Sequence, residues 1–171
     1  SLWRKPAFIN AGDGKHEHPT QELLDEFTFL EDNAWSTESI HLALVGDLYH
    51  GRTVHSKVDG LRIFKNVKVD LIAPVELAMP ESNVTKMKEN KYSVRIFNSI
   101  EEYLKQHDIA PKWYFTRPQL ERMGERILAR QEELRQTVTF CKEFVSKLPQ
   151  GTKFYHPLPR HRVHPTIPTF L

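Results

Sequence analysis

The stretch Ile40–Ser56, IHLALVGDLYHGRTVHS, constrains this chain more than any other. Its apolar run, Ile40, Leu42, Ala43, Leu44 and Val45, has the make-up of a buried strand. Gly46-Asp47 breaks the run, and Gly51 then precedes Arg52, Thr53, His55 and Ser56. A strand that ends in glycine and restarts as a helix leaves unpaired N–H groups and a positive helix end at the turn. Arg52, Thr53 and Ser56 there make a site shaped for an anion, either carboxylate or phosphate. The plain alternative is a surface arginine at a helix start. That placement is electrostatically unfavourable unless an anion faces it. His55, in the same turn, reads as a group that orients its neighbours.

The remaining chain alternates strand and helix patterns. His18-Pro19-Thr20-Gln21 opens a helix, with proline suited to its first position and Glu22, Asp25 and Glu26 to its positive end. Leu23, Leu24, Phe27 and Leu30 are expected to form its buried stripe. After Ser56 a second helix is expected to about Phe64, then a strand Val67–Ala73 and a helix around Ser82–Asn90. A strand Tyr92–Phe97, a helix Ile100–His107 capped by Ser99 and a strand Lys112–Phe115 follow. Gln119 to about Lys147 reads as one long helix or two, with Leu120, Met123, Ile127, Leu134, Val138 and Cys141 recurring along it. Lys153–Tyr155 is a last strand. This alternation predicts an α/β fold, a parallel sheet flanked by helices on both faces. Ligands of such sheets sit beyond the carboxyl ends of the strands. Three strands here run into polar, turn-rich segments: Gly46–Ser56, Thr116–Gln119 and His156–Arg160.

Composition narrows the function. At 171 residues the chain is one domain, or a domain with a short appendage. A net charge of +2, with basic and acidic residues interspersed, argues against nucleic acid as a partner. No apolar run approaches the roughly 20 residues that span a bilayer. A single cysteine, Cys141, excludes an intrachain disulfide framework and fits a reducing, cytoplasmic setting. His16, His18, His156, His161 and His164 match no compact zinc spacing, so neither metal nor cofactor is expected. Glycine-rich dinucleotide and P-loop motifs are absent. Arg117 and Gln119 flank Pro118 and suit a carboxylate, with a solvated helix start as the alternative. Glu121 and Arg122 are placed to form a loop-fixing ion pair, and His18 and Gln21 could be helix caps alone. The chain begins at Ser1 and stops at Thr169-Phe170-Leu171, and both ends read as cut from a longer protein.

Four ordered motifs carry a resemblance. They are Gly12-Asp13-Gly14 with His18-Pro19-Thr20-Gln21, Val45-Gly46-Asp47-Leu48 with Gly51-Arg52-Thr53-Val54-His55-Ser56, Thr116-Arg117-x-Gln119-x-Glu121-Arg122, and His156-Pro157-Leu158-Pro159-Arg160. Together the set resembles the catalytic chain of the aspartate carbamoyltransferases, specifically its Rossmann-like Asp/Orn-binding domain. The likeness implies carbamoyl transfer from carbamoyl phosphate to L-aspartate, an early step of pyrimidine synthesis. It divides the chain into a linking helix segment, residues 1–38, and an aspartate-binding domain, residues 39–171. Ornithine carbamoyltransferases differ where the amino acid is chosen: they carry His-Cys-Leu-Pro at His156-Pro157-Leu158-Pro159 and a Ser-Met-Gly loop at Thr116-Arg117-Pro118-Gln119.

By this resemblance His18 polarises the carbamoyl carbonyl. Gln21 and the Leu158 backbone carbonyl, beside Pro157, hold the carbamoyl amide. Arg52, with Thr53, binds the aspartate α-carboxylate. Arg117 with Gln119 binds the β-carboxylate, and Glu121 and Arg122 brace the closing loop. The family's amino-terminal carbamoyl phosphate domain, with its Ser-Thr-Arg-Thr-Arg loop, and a Ser/Lys loop from a neighbour across a trimer are expected outside these residues. A regulatory chain is a further expected partner. Two rival readings are a non-catalytic scaffold chain of the same fold and a carbamoyltransferase for another amino acid.

Overall fold

The computed structural model describes residues 10, 18–119, 129–160, 163 and 165–168. Its centre is β1, Ser39–Val45, in which Ile40, Leu42 and Leu44 pack on one side of the sheet and Ala43 and Val45 on the other. A strand apolar on both sides belongs inside a parallel sheet. β2 (Asn66–Ile72), β3 (Ser93–Phe97), β4 (Lys112–Phe115) and β5 (Lys153–Tyr155) complete it. All pairs are parallel, in the order β3-β2-β1-β4-β5. The chain steps outward from β1 to β3, then crosses back to place β4 on the other side of β1. Connections leaving β1 and β4 therefore diverge, and a crevice opens between them at the carboxyl ends.

Helices cover both faces, as the alternation predicts. α1 (Pro19–Asp32), α2 (Arg52–Gly60) and α3 (Glu81–Glu89) bury Phe29, Val54, Val58, Val84 and Met87 against one. α4 (Ile100–Tyr103) covers the other, and α5 (Gln131–Val138) reaches both, with Leu134 in the first cluster and Val138 in the second. There Trp113 packs among the rings of Tyr103, Phe115, Phe140 and Phe154. On this face Asp70 of β2 ties four elements together. It accepts from His41 of β1 (2.6 Å), Arg95 of β3 (2.6 and 2.7 Å) and Tyr103 of α4 (2.6 Å). Burial pushes the Asp70 carboxyl up, but these bonds more than reverse that and hold it at about 2.

Several expectations are corrected. α2 starts at Arg52, with Gly51 as its N-cap, rather than after Ser56. α4 keeps its Ser99 cap but stops at Tyr103, four residues short of His107. The described residues 129–147 do not form one continuous helix: α5 ends at an extended Thr139, and a 3₁₀ segment Lys142–Lys147 follows. The break has a cause, since the Phe140 amide donates to the Thr166 carbonyl (3.0 Å) while the Phe140 ring enters the core. Cys141 thus precedes the 3₁₀ segment, half-buried, instead of lying in a helical stripe. Leu120, Met123 and Ile127 lie outside the described residues. Among those described, no helix is long and apolar enough to cross a membrane.

The largest correction is in α1. Leu23, Leu24 and Phe27 are 65%, 62% and 54% exposed, and its buried residues are Glu22, Asp25 and Phe29. The buried face is polar because it meets Lys57 of α2, which has no solvent access. Lys57 bonds Glu22 and Asp25 (2.7 Å) and lies over the Tyr114 ring, 4.6 Å from its centroid. A buried ammonium holds its charge only with such partners.

Candidate active site at the carboxyl ends of the sheet

A cleft of about 300 Å³ opens beyond β1, β4 and β5. Its walls carry His18, Gln21, Arg52, Thr53, Arg117, Gln119, Pro157 and Leu158. Four separate segments thus bring together eight residues singled out from the sequence. Glu121 and Arg122 lie outside the described residues. Gly51, His50, Thr116, His156 and Pro159 also line it; among the described residues the lining contains two arginines and no carboxylate.

Two helix starts face this cleft. α2 has no side-chain cap at Gly51 and carries Arg52 and Thr53 in its first turn. Its positive end and the Arg52 guanidinium reinforce each other as an anion site. α1 is capped by His18, whose Nδ1 accepts from the Gln21 amide at 3.3 Å. That bond leaves the ring proton on Nε2, so His18 presents a donor to the cleft. Gln21 Nε2 donates to Asp25 Oδ1 at 2.9 Å. With its NH₂ committed to a carboxylate, the Gln21 amide presents its oxygen, an acceptor suited to an N–H ligand.

Ser56 has a different place from the one expected. It is buried, donates to the Arg52 carbonyl (3.1 Å) and accepts from the His18 amide (3.0 Å). It joins the two helix starts and does not line the cleft. His55 likewise turns Nε2 to the Leu48 carbonyl at 2.9 Å, an orienting contact as anticipated.

Asp47, a strand breaker in the sequence, is the hub between the β1 and β4 loops. It is fully buried and accepts from the His50 amide (2.8 Å) and the Gln119 amide (2.9 Å). The His50 ring lies against the same carboxylate. Gly46 allows this approach: its φ is +117°, and a Cβ there would fall on the Thr116 carbonyl oxygen. Beyond β5, Leu158 takes a positive φ of 58°, and its amide donates to His156 Nδ1 at 2.9 Å. Burial, then nearby Arg160, pushes His156 down to about 4, so its ring is neutral. Its Nε2 is buried and has no hydrogen-bond partner among the described residues. No three His, Cys, Asp or Glu side chains group as a metal site would need, among the described residues.

Residues 38–166 match the family model for the Asp/Orn binding domain of aspartate/ornithine carbamoyltransferases. The chain belongs to this family. Within it, the chain is 75% identical over all its 171 residues to Protein PyrBI of Treponema denticola, covering 32% of that relative. The solved catalytic subunit of M. jannaschii aspartate transcarbamoylase superposes with a TM-score of 0.74 at 35% identity, over 90% of this chain and 47% of that one. Aspartate transcarbamoylase from Trypanosoma cruzi, in complex with carbamoyl phosphate and aspartate, superposes with a TM-score of 0.74 at 30% identity, over 88% and 48%. The carbamoyltransferase domain seen here thus spans about a third to a half of the proteins it matches.

Proposed function

We propose that this chain supplies the amino-acid half of a carbamoyl-transfer site. The reaction is transfer from carbamoyl phosphate to L-aspartate, giving N-carbamoyl-L-aspartate and phosphate, in pyrimidine biosynthesis. One observation carries the choice of substrate: two arginines, from the loops after β1 and β4, line one cleft, and its described lining residues include no carboxylate. A dicarboxylate such as aspartate meets both, whereas the cationic side chain of ornithine is repelled. The solved T. cruzi relative with carbamoyl phosphate and aspartate bound supports the same pairing of substrates.

In this reading Arg52, with Thr53 and the positive end of α2, holds the α-carboxylate. Arg117 and Gln119 hold the β-carboxylate. His18 donates from Nε2 to the carbamoyl oxygen, where negative charge develops as the amine attacks. The Gln21 oxygen and the Leu158 carbonyl, beside Pro157, accept from the carbamoyl NH₂. Glu121 and Arg122 brace the loop that closes over aspartate. Catalysis is then positioning and charge stabilisation with no covalent intermediate. Residues 1–38 lead in from a carbamoyl-phosphate domain, and 39–171 form the aspartate domain. The complete enzyme is a trimer sharing residues between neighbours, with a regulatory chain as a further partner.

The test is product formation. The complete enzyme, this chain joined to a carbamoyl-phosphate domain, should form carbamoyl aspartate from aspartate and no citrulline from ornithine. The 171-residue chain alone should form neither. Turnover of ornithine, or no turnover by the complete enzyme, would contradict the reading.

A further inference from the structure

We propose that His50 is the proton acceptor for the amine of the incoming amino acid, an inference that rests on the carbamoyl-transfer reading of this cleft. The amine arrives as an ammonium ion, which has no lone pair with which to form a C–N bond. One proton must leave before attack, so the site needs a base within reach.

The histidines around the cleft are sorted by their partners. His18 and His156 each accept a backbone amide at Nδ1, from Gln21 at 3.3 Å and from Leu158 at 2.9 Å. Both therefore carry their proton on Nε2 and can only donate from it. His55 points Nε2 at the Leu48 carbonyl and does not line the cleft. His50 is the reverse of His18. Its Nδ1 lies 3.1 Å from Asp47 Oδ2 and 3.2 Å from Oδ1. An ionised carboxylate only accepts, so Nδ1 carries the proton and Nε2 keeps a lone pair.

Asp47 is built to support that role. It is fully buried and held by the amides of His50 and Gln119, so its carboxylate stays beside the ring as the imidazolium forms. This is the arrangement by which a carboxylate orients and charges a histidine base. Among the described residues, the other charged or titratable groups about His50 are Arg52, Arg117, His18 and His156 of the cleft lining and Tyr49, whose ring meets His50 edge-on at 4.9 Å.

The step balances as follows. Nε2 takes one ammonium proton, and the freed lone pair forms the bond to the carbamoyl carbon. The bond from that carbon to the phosphate oxygen breaks with its electron pair going to phosphate, which takes the second amine proton. The imidazolium then returns its proton to water.

The experiment is the pH dependence of the complete enzyme and its His50→Gln variant at saturating carbamoyl phosphate. Glutamine keeps a donor for Asp47 and supplies no base. We expect kcat/KM for aspartate to fall about 100-fold or more and to lose its acid limb. Binding of succinate, the same dicarboxylate without the amine, should stay within about two-fold of wild type, since the clamp is intact. In His50→Ala, added imidazole should restore rate in proportion to its neutral fraction. A His50→Gln enzyme with the wild-type rate and acid limb would overturn the proposal. So would absence of imidazole rescue, or loss of succinate binding in both variants, which would make His50 structural. A wild-type enzyme that forms no carbamoyl aspartate would instead overturn the reading on which it rests.

Discussion

Glu22 is a carboxyl group on a helix face where a leucine would ordinarily pack. Burial pushes it up to about 7, against the opposing pull of Lys57, and its Oε1 has no hydrogen-bond partner among the described residues. Lys57 already has Asp25, so the cluster holds one carboxylate more than its single ammonium balances. The folded state binds this proton more tightly than the unfolded chain, whose value is 4.5. The stability it contributes is therefore full below 4.5 and is lost as pH rises through about 7. Glu22→Gln removes that loss. Its unfolding free energy relative to wild type should rise between about pH 5 and pH 8, by up to about 3 kcal/mol. Denaturant titrations at both pH values measure this, and a difference independent of pH would contradict it. The consequence reaches the cleft, because Asp25 also holds the Gln21 amide.

At the scale of elements, the strands were the legible part of the sequence. β4 and β5 fall where expected, because short apolar runs bounded by turn residues have few alternatives. α1 shows what periodicity misses. Its apolar residues recur at helical spacing, yet the helix buries the carboxylates that serve Lys57, a partner 32 and 35 residues away. A pattern of hydrophobic residues cannot register a pairing of charges between helices. The cleft residues were legible because they follow the ends of β1, β4 and β5 or, for His18 and Gln21, open a helix, whereas the hub role of Asp47 depends on where the β4 loop crosses. That crossing needs Gly46. Gly46→Ala forces a side chain into a positive φ and onto the Thr116 backbone, so the ends of β1 and β4 must separate. The expected cost is at least about 2 kcal/mol of stability, with loss of aspartate saturation. Unchanged denaturation and saturation curves would count against the close approach described here.

At the scale of the molecule, the reversal of strand order between β1 and β4 sets where the chemistry goes. It makes Arg52 and Arg117 products of different loops, held in register by the shared Asp47. The central claim is that this cleft is a clamp for a dicarboxylic amino acid. Its most direct test is the aspartate saturation curve of the complete enzyme carrying Arg52→Ala, at saturating carbamoyl phosphate. Loss of one partner of a desolvated charge pair costs about 2–5 kcal/mol, so kcat/KM for aspartate should fall by at least about 30-fold while the carbamoyl phosphate dependence is kept. An aspartate curve that coincides with that of wild type would contradict the account.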